Sequence, residues 1–247
     1  MSNEELEFEL YMQELLEKVS RGDSSAQATL GDILLEDEDY GRAYILLLQS
    51  AKKGNAYAQK KLGLMYQGYY PNSGMKDDAE AVRWFTRASK QWEKEATSLL
   101  ALHYSLGWGV QKNMMKAIKL WEKAAQQNYA PALFSLGQMY FKGIDEITKD
   151  CKKAKEFILK AVQNGFQGVC EVHETLAKIY EEEKDYNLAY SQYEEALKAL
   201  NAYVELPRYE YKHEEESIES SQNDSKENRK SEIEAKLKEL EKLISAE

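Results

Sequence analysis

One pattern recurs five times along this chain and limits its fold more than any other feature. Ala43, Ala81, Ala117, Ala154 and Ala189 are separated by 38, 36, 37 and 35 residues. Four residues ahead of them stand Asp39, Asp77, Asn113, Asp150 and Asp185. Each is a good helix N-cap, because its side-chain oxygen can accept an N–H that the first turn leaves without a partner. Three and four residues after the anchors come Leu46-Leu47, Trp84-Phe85, Leu120-Trp121, Phe157-Ile158 and Gln192-Tyr193, and seven after come Ser50, Ala88, Ala124, Ala161 and Ala196. Small residues at both ends of one stripe, with bulky ones between, describe a helix that packs closely on a neighbour.

The spacing predicts a second helix in each unit. Eleven residues past the anchors lie Gly54, Trp92, Asn128 and Gly165. Gly and Asn tolerate the left-handed conformation that ends a helix, so Trp92 is a departure. Nine residues further on come Leu62-Gly63, Leu100-Ala101 and Leu136-Gly137, and the same step joins Gly22 to Leu30-Gly31. In the last unit the step from Gly165 to Ala177 is longer, by about three inserted residues. Alternating alanines, Ala26/Ala28, Ala56/Ala58 and Ala130/Ala132, fill the interval. Each unit therefore reads as a small-residue helix A, a loop, and an aromatic-bearing helix B.

The segments Ala58-Gln-Lys-Lys-Leu-Gly-Leu-Met-Tyr66 and Ala132-Leu-Phe-Ser-Leu-Gly-Gln-Met-Tyr140 resemble the signature of Sel-1-like repeats. Gly107-Trp-Gly-Val110 is similar to the loop of that family, and Ala117-Ile-Lys-Leu-Trp-Glu-Lys-Ala-Ala125 to its second helix. The fifth unit is closer to a tetratricopeptide repeat. The resemblance covers residues 22–201. It implies an all-α fold, a right-handed α/α superhelix or solenoid of about five antiparallel helix pairs whose surface holds other proteins, and it implies no reaction. Some bacterial relatives staple such helices with a disulfide between positions eight apart. Here Cys170 matches the second position but Val162 fills the first, so the resemblance implies no staple, and Cys151 and Cys170 read as inert, reduced thiols.

A single helix pair cannot bury its apolar face, whereas stacked neighbours share a continuous core with atypical units at the ends. Residues 1–21 read as an N-terminal capping helix carrying Leu6, Leu10, Leu15, Leu16 and Val19. After the solenoid, residues 202–230 read as an acidic polar linker and 231–247 as a short amphipathic helix. That helix opens with the capping box Ser231-Glu-Ile-Glu234 and continues with Leu237, Leu240 and Ile244. Its apolar face is expected to fold back on the last repeat, or else to meet a partner or a second copy of the chain in self-association.

The formal net charge of -10 and pI of about 5.1 argue against a nucleic-acid partner, which would need a basic face. No apolar run suits membrane insertion, and the acidic N-terminus lacks the pattern of an export signal, so a cytoplasmic location is expected. No zinc motif, phosphate-binding glycine loop or nucleophile constellation appears. His103 stands where Met65 and Met139 stand in other units and reads as a core residue. The sequence thus points to no enzyme, no metal and no cofactor.

The expected activity is protein binding, by a scaffold or adaptor whose acidic charge steers a basic partner. The alternative is a cytoplasmic inhibitor of the immunity type that occludes a toxin or enzyme, and an enzyme subunit ranks third. Aromatics away from the repeat positions, Tyr69, Tyr70, Trp92 and Trp108, are candidate contacts, since exposed Trp and Tyr are favoured interface anchors. The concave wall supplies the rest, through helix A positions expected to be exposed: Gln59, Lys60, Thr97, Ser98, Phe134 and Ser135.

Overall fold

All five recurring caps form as the sequence predicts. The side chains of Asp39, Asp77, Asn113, Asp150 and Asp185 accept from backbone N–H groups two or three residues ahead. In the computed structural model, which describes residues 3–144, 147–202 and 215–245, they open every second helix. The elements are α1 (Asn3–Ser20), α2 (Ser24–Glu36), α3 (Tyr40–Lys52), α4 (Ala56–Gln67), α5 (Asp78–Lys90), α6 (Lys94–Leu106), α7 (Met114–Ala125), α8 (Ala130–Lys142), α9 (Cys151–Gln163), α10 (Val169–Glu182), α11 (Tyr186–Ala202) and α12 (Glu215–Ile244). One 3₁₀ turn, Pro71–Ser73, lies between α4 and α5, and no strand occurs among the described residues. The fold is all-α.

The five helix pairs are α2/α3, α4/α5, α6/α7, α8/α9 and α10/α11. In each, the B-helix anchor alanine and the small residue seven positions on are fully buried. So are the bulky residues between them, Leu47, Phe85, Trp121, Ile158 and Tyr193. The Leu-Gly step of helix A now has its cause. A Cβ on Gly31 would lie 2.7 Å from Leu47, on Gly63 2.4 Å from Phe85, and on Gly137 2.6 Å from Ile158. The glycine leaves the space that a fully buried side chain of the partner helix fills.

A backbone tie closes each A-to-B loop. The N–H of Asp77, Asn113 and Asp150 donates to the carbonyl of Tyr66, Tyr104 and Tyr140, each at 2.8 Å. The B-to-A turns are equally uniform, with left-handed residues at Gly54, Trp92, Asn128 and Gly165. The inserted residues of the last turn carry Phe166, which stacks on Phe134 with ring centroids 4.3 Å apart.

The chain forms two compact units, Met1–Ala132 and Leu133–Glu247. In the first, α4 touches both α2 and α6, so successive A helices adjoin. In the second, α12 packs on α11 through buried Ile233 and Leu240. Arg229 of α12 reaches Glu171 at 3.0 Å and Glu174 at 2.5 Å on α10.

The C-terminal region differs from the sequence expectation. The helix starts at Glu215, not Ser231, so the second half of the expected 202–230 linker is helical, while 203–214 lie outside the described residues. No Gly or Pro follows Pro207, and Glu, Ser, Asn and Lys cost only a few tenths of a kcal/mol each when an existing helix extends through them.

Candidate functional site

On the first unit, the adjoining A helices and the loop after α4 enclose an open cavity of about 310 Å³. Helix α2 supplies Asp32, Leu35 and Glu36, and α4 supplies Lys60, Lys61 and Leu64. Glu95 enters from α6, and Tyr69 and Tyr70 close the end. Apart from Leu35 and Lys60, the side chains from the A helices share one flank. Asp32 and Leu64 lie six residues past the helix A alanines Ala26 and Ala58, Glu36 ten past Ala26, Lys61 three past Ala58, and Glu95 one before Ala96. At 100° per residue all fall about a quarter turn from the buried alanines.

Two ion pairs cross the floor. Lys61 of α4 pairs with Asp32 of α2, and Lys60 of α4 with Glu95 of α6 at 2.5 Å. Tyr57 sits beneath both, with the Lys60 amine 4.8 Å and the Lys61 amine 5.3 Å from its ring centroid, and its hydroxyl donates to Asp32. Burial, then the bond to Asp32, pushes the Tyr57 phenol up to about 12. Burial pulls the Lys61 ammonium down, but Asp32 and Tyr57 outweigh it and the net shift is upward. Lys60 is only 8% exposed, and Glu95 is its ion-pair partner there. Glu36 is exposed and has no ion-pair partner among the described residues. On the lining of the same cavity Tyr69, 55% exposed, meets Tyr70 edge-on at 5.1 Å, and Tyr70 leans on Tyr40 at 5.9 Å.

The structure therefore brings Lys60, Tyr69 and Tyr70 together and leaves the other sequence candidates elsewhere. Gln59, Lys60, Thr97, Ser98 and Phe134 are buried, which corrects their expected exposure. The reason is register: the residue after each helix A alanine wedges against neighbouring B helices. The Gln59 amide donates to Ala51 O and accepts from Gln91, and the Thr97 hydroxyl meets Ser89 at 3.0 Å. Phe134 lies under Phe166, and Ser135 is half-buried. Tyr57, Asp32, Lys61, Glu36 and Glu95 were not singled out in the sequence; their common angle from the alanines is the signal that would have found them.

Trp92 and Trp108 stand apart from the cavity. Trp108 is exposed, while its carbonyl lies 3.0 Å from Nδ1 of buried His103 and its ring meets that imidazole edge-on at 5.8 Å. The loop is held by Gly109, where a Cβ would fall 2.2 Å from the Asp78 carbonyl. Trp92 is 57% exposed and has φ +63°. That conformation costs a residue bearing a Cβ about 1–2 kcal/mol relative to glycine. Its ring carries the Lys123 ammonium 4.7 Å from its centroid.

Among the described residues no group of three His, Cys, Asp or Glu is placed to hold a metal ion. Both cysteines are free thiols. Burial pushes Cys170 up to about 12, and burial followed by Glu182 raises Cys151, so neither is activated as a nucleophile.

The sequence model of the Sel1 repeat matches residues 24–55, 56–91, 94–129 and 130–166, more than half of the chain. The chain belongs to the Sel1-repeat family. The four matched Sel1 repeats correspond to the helix pairs α2/α3 to α8/α9. This Sel1-repeat chain is 35% identical over 121 residues to the ERAD-associated E3 ubiquitin-protein ligase component HRD3B of Arabidopsis thaliana, covering 48% of this chain and 18% of that protein. It is 31% identical over 157 residues to chitin synthase regulatory factor 3 of Schizosaccharomyces pombe, covering 60% of this chain and 17% of the relative. It thus spans less than a fifth of the length of these relatives. Among solved structures, a protective antigen of uropathogenic Escherichia coli with an SLR fold superposes with a TM-score of 0.68 at 26% identity, covering 76% of this chain and 41% of that one. A Sel1 repeat protein from Oxalobacter formigenes gives 0.61 at 24% identity, covering 72% and 76%. No described helix is long and apolar enough to cross a membrane.

Proposed function

We propose that this Sel1-repeat chain is a non-enzymatic adaptor that holds an extended segment of a basic partner protein in the α2/α4/α6 cavity. One observation carries the reading: unpaired Glu36 and exposed Tyr69 line the same cavity, above a floor whose other charges are already matched. A Lys or Arg side chain entering there meets a carboxylate and an aromatic face together, and so gains both an ion pair and a cation–π contact. The matched pairs below keep the floor preorganised, so little order has to be created on binding. Related repeats occur in a ligase component and in a regulatory factor, which suits an adaptor. Two unactivated free thiols suit a reducing compartment such as the cytoplasm.

The test is a native pull-down with the tagged chain, run beside the Glu36→Lys/Tyr69→Ala variant. Both positions are exposed and a lysine suits the C-terminal turn of α2, so the variant should unfold at the wild-type temperature. We expect a stoichiometric basic partner with the wild type and at least a tenfold loss with the variant. An unchanged partner list in a folded variant would overturn the reading.

A further inference from the structure

We infer that Trp92 is a second docking point, built for a protein segment that carries an aromatic or large aliphatic residue flanked by carboxylates. The inference rests on the reading of the chain as a partner-binding module, but not on the cavity between the A helices.

Four B-to-A turns in this chain share one backbone. In each, a left-handed residue donates its N–H three residues back, and the next residue donates five back. The distances are 3.1 and 3.2 Å at Gly54 and Asn55, 3.1 and 3.3 Å at Trp92 and Glu93, 2.9 and 3.3 Å at Asn128 and Tyr129, and 3.0 and 3.0 Å at Gly165 and Phe166. Glycine and asparagine suit that geometry and tryptophan does not. The turn therefore forms in spite of Trp92. Nor is Trp92 there to be buried, since the residue is 57% exposed. Glu38 and Lys184 hold the same left-handed backbone in two A-to-B turns; what sets Trp92 apart is that the residue carried there is a large exposed aromatic, the type favoured as an interface anchor.

Charge names the occupant. Lys90 and Lys94 flank Trp92 and are exposed, and Lys123 lies over its ring. Glu95 is matched by Lys60, and Glu93, which caps α6 by accepting from Ala96 N–H, leaves one carboxylate against the three ammonium groups. In a chain of net charge -10 this local excess of ammonium groups favours an anionic segment. Its apolar residue would lie on the free indole face, with carboxylates on Lys90 and Lys94.

The test uses a twelve-residue synthetic peptide, Phe-Leu at its centre and Asp and Glu on both sides, titrated into ¹⁵N-labelled full chain. The indole N–H signals report the site, that of Trp92 being assigned by its loss in Trp92→Gly. We expect a saturable shift of the Trp92 signal, at least tenfold weaker binding of the labelled peptide by Trp92→Gly and by Lys90→Glu/Lys94→Glu, and weakening with salt. Trp92→Gly should unfold at the wild-type temperature or above it. No saturable shift, an equal shift with a lysine-flanked or Gly-Gly-centred peptide, or a lower unfolding temperature for Trp92→Gly would overturn the inference. The last outcome would make the ring a cover for the Lys123–Ser89 hydrogen bond. The Glu36→Lys/Tyr69→Ala variant should bind this peptide as the wild type does; loss there would move the contact to the cavity and also overturn the inference. Failure of the cavity reading in the pull-down leaves this titration to be read by itself.

Discussion

Single atoms decide how closely paired helices approach. At Gly63 an added methyl would sit 2.4 Å from the Phe85 ring, and Phe85 is fully buried. Gly63→Ala should therefore cost about 1–3 kcal/mol through overpacking, although alanine is the better helix former. Combining it with Phe85→Leu should recover part of that loss, because leucine is smaller than the ring that the added methyl meets. Denaturant titration of the two single variants and the double variant measures the coupling; strict additivity would show that the two residues do not meet. At this scale the sequence was legible wherever a residue repeats. The caps, the anchor alanines and the Leu-Gly steps stood out because five units solve one packing problem in one way. Gln59 and Thr97 were misread for the converse reason: polar side chains look exposed until the register shows that their hydrogen bonds run to neighbouring helices.

Among the elements, α12 depends on the rest of the chain most plainly. Its helix-forming residues make it continuous, but its place on α11 comes from Ile233 and Leu240 together with the contacts of Arg229 to Glu171 and Glu174. Leu240 is fully buried, so Leu240→Ala should cost about 2–4 kcal/mol in the second unit. Hydrogen exchange should then quicken along α12 and α11 while α2–α7 keep wild-type protection. Uniform quickening across both units would instead mean that they unfold as one. The amphipathic stripe of this helix was legible in the sequence, whereas its start was not. A capping box at Ser231 is a local signal, and contacts as far upstream as Arg229 hold the helix beyond it. The sequence also left open whether its apolar face caps the repeats or meets another chain; in the structure Ile233 and Leu240 are covered from within.

For the molecule as a whole, tyrosines held back from ionising by burial and hydrogen bonds set an alkaline limit to stability. Tyr57 and Tyr129 are pushed up to about 12, by burial first and then by Asp32 in one case and by Glu95 and Glu93 in the other. Tyr66 reaches about 12 through its hydrogen bond with Tyr44, followed by burial. In the unfolded chain these phenols ionise near 10. Above that pH the unfolded state loses protons that the folded state retains, so unfolding becomes easier with each further step. The stability these phenols contribute is thus complete below about pH 10 and is lost as pH rises towards 12. Lys61, whose net shift is upward, adds to the loss with the same sign, as does mounting repulsion in a chain already at -10. Denaturant midpoints should hold steady from neutral pH to about 10 and then fall steeply, and the tyrosinate absorbance of the folded chain should rise in two phases. The triple variant Tyr57→Phe/Tyr66→Phe/Tyr129→Phe, less stable at neutral pH for want of its hydroxyl bonds, should nevertheless show a shallower alkaline decline and lose the late phase. An equally steep decline in that variant would assign the alkaline limit to net charge alone, and the three phenols would then have no part in it.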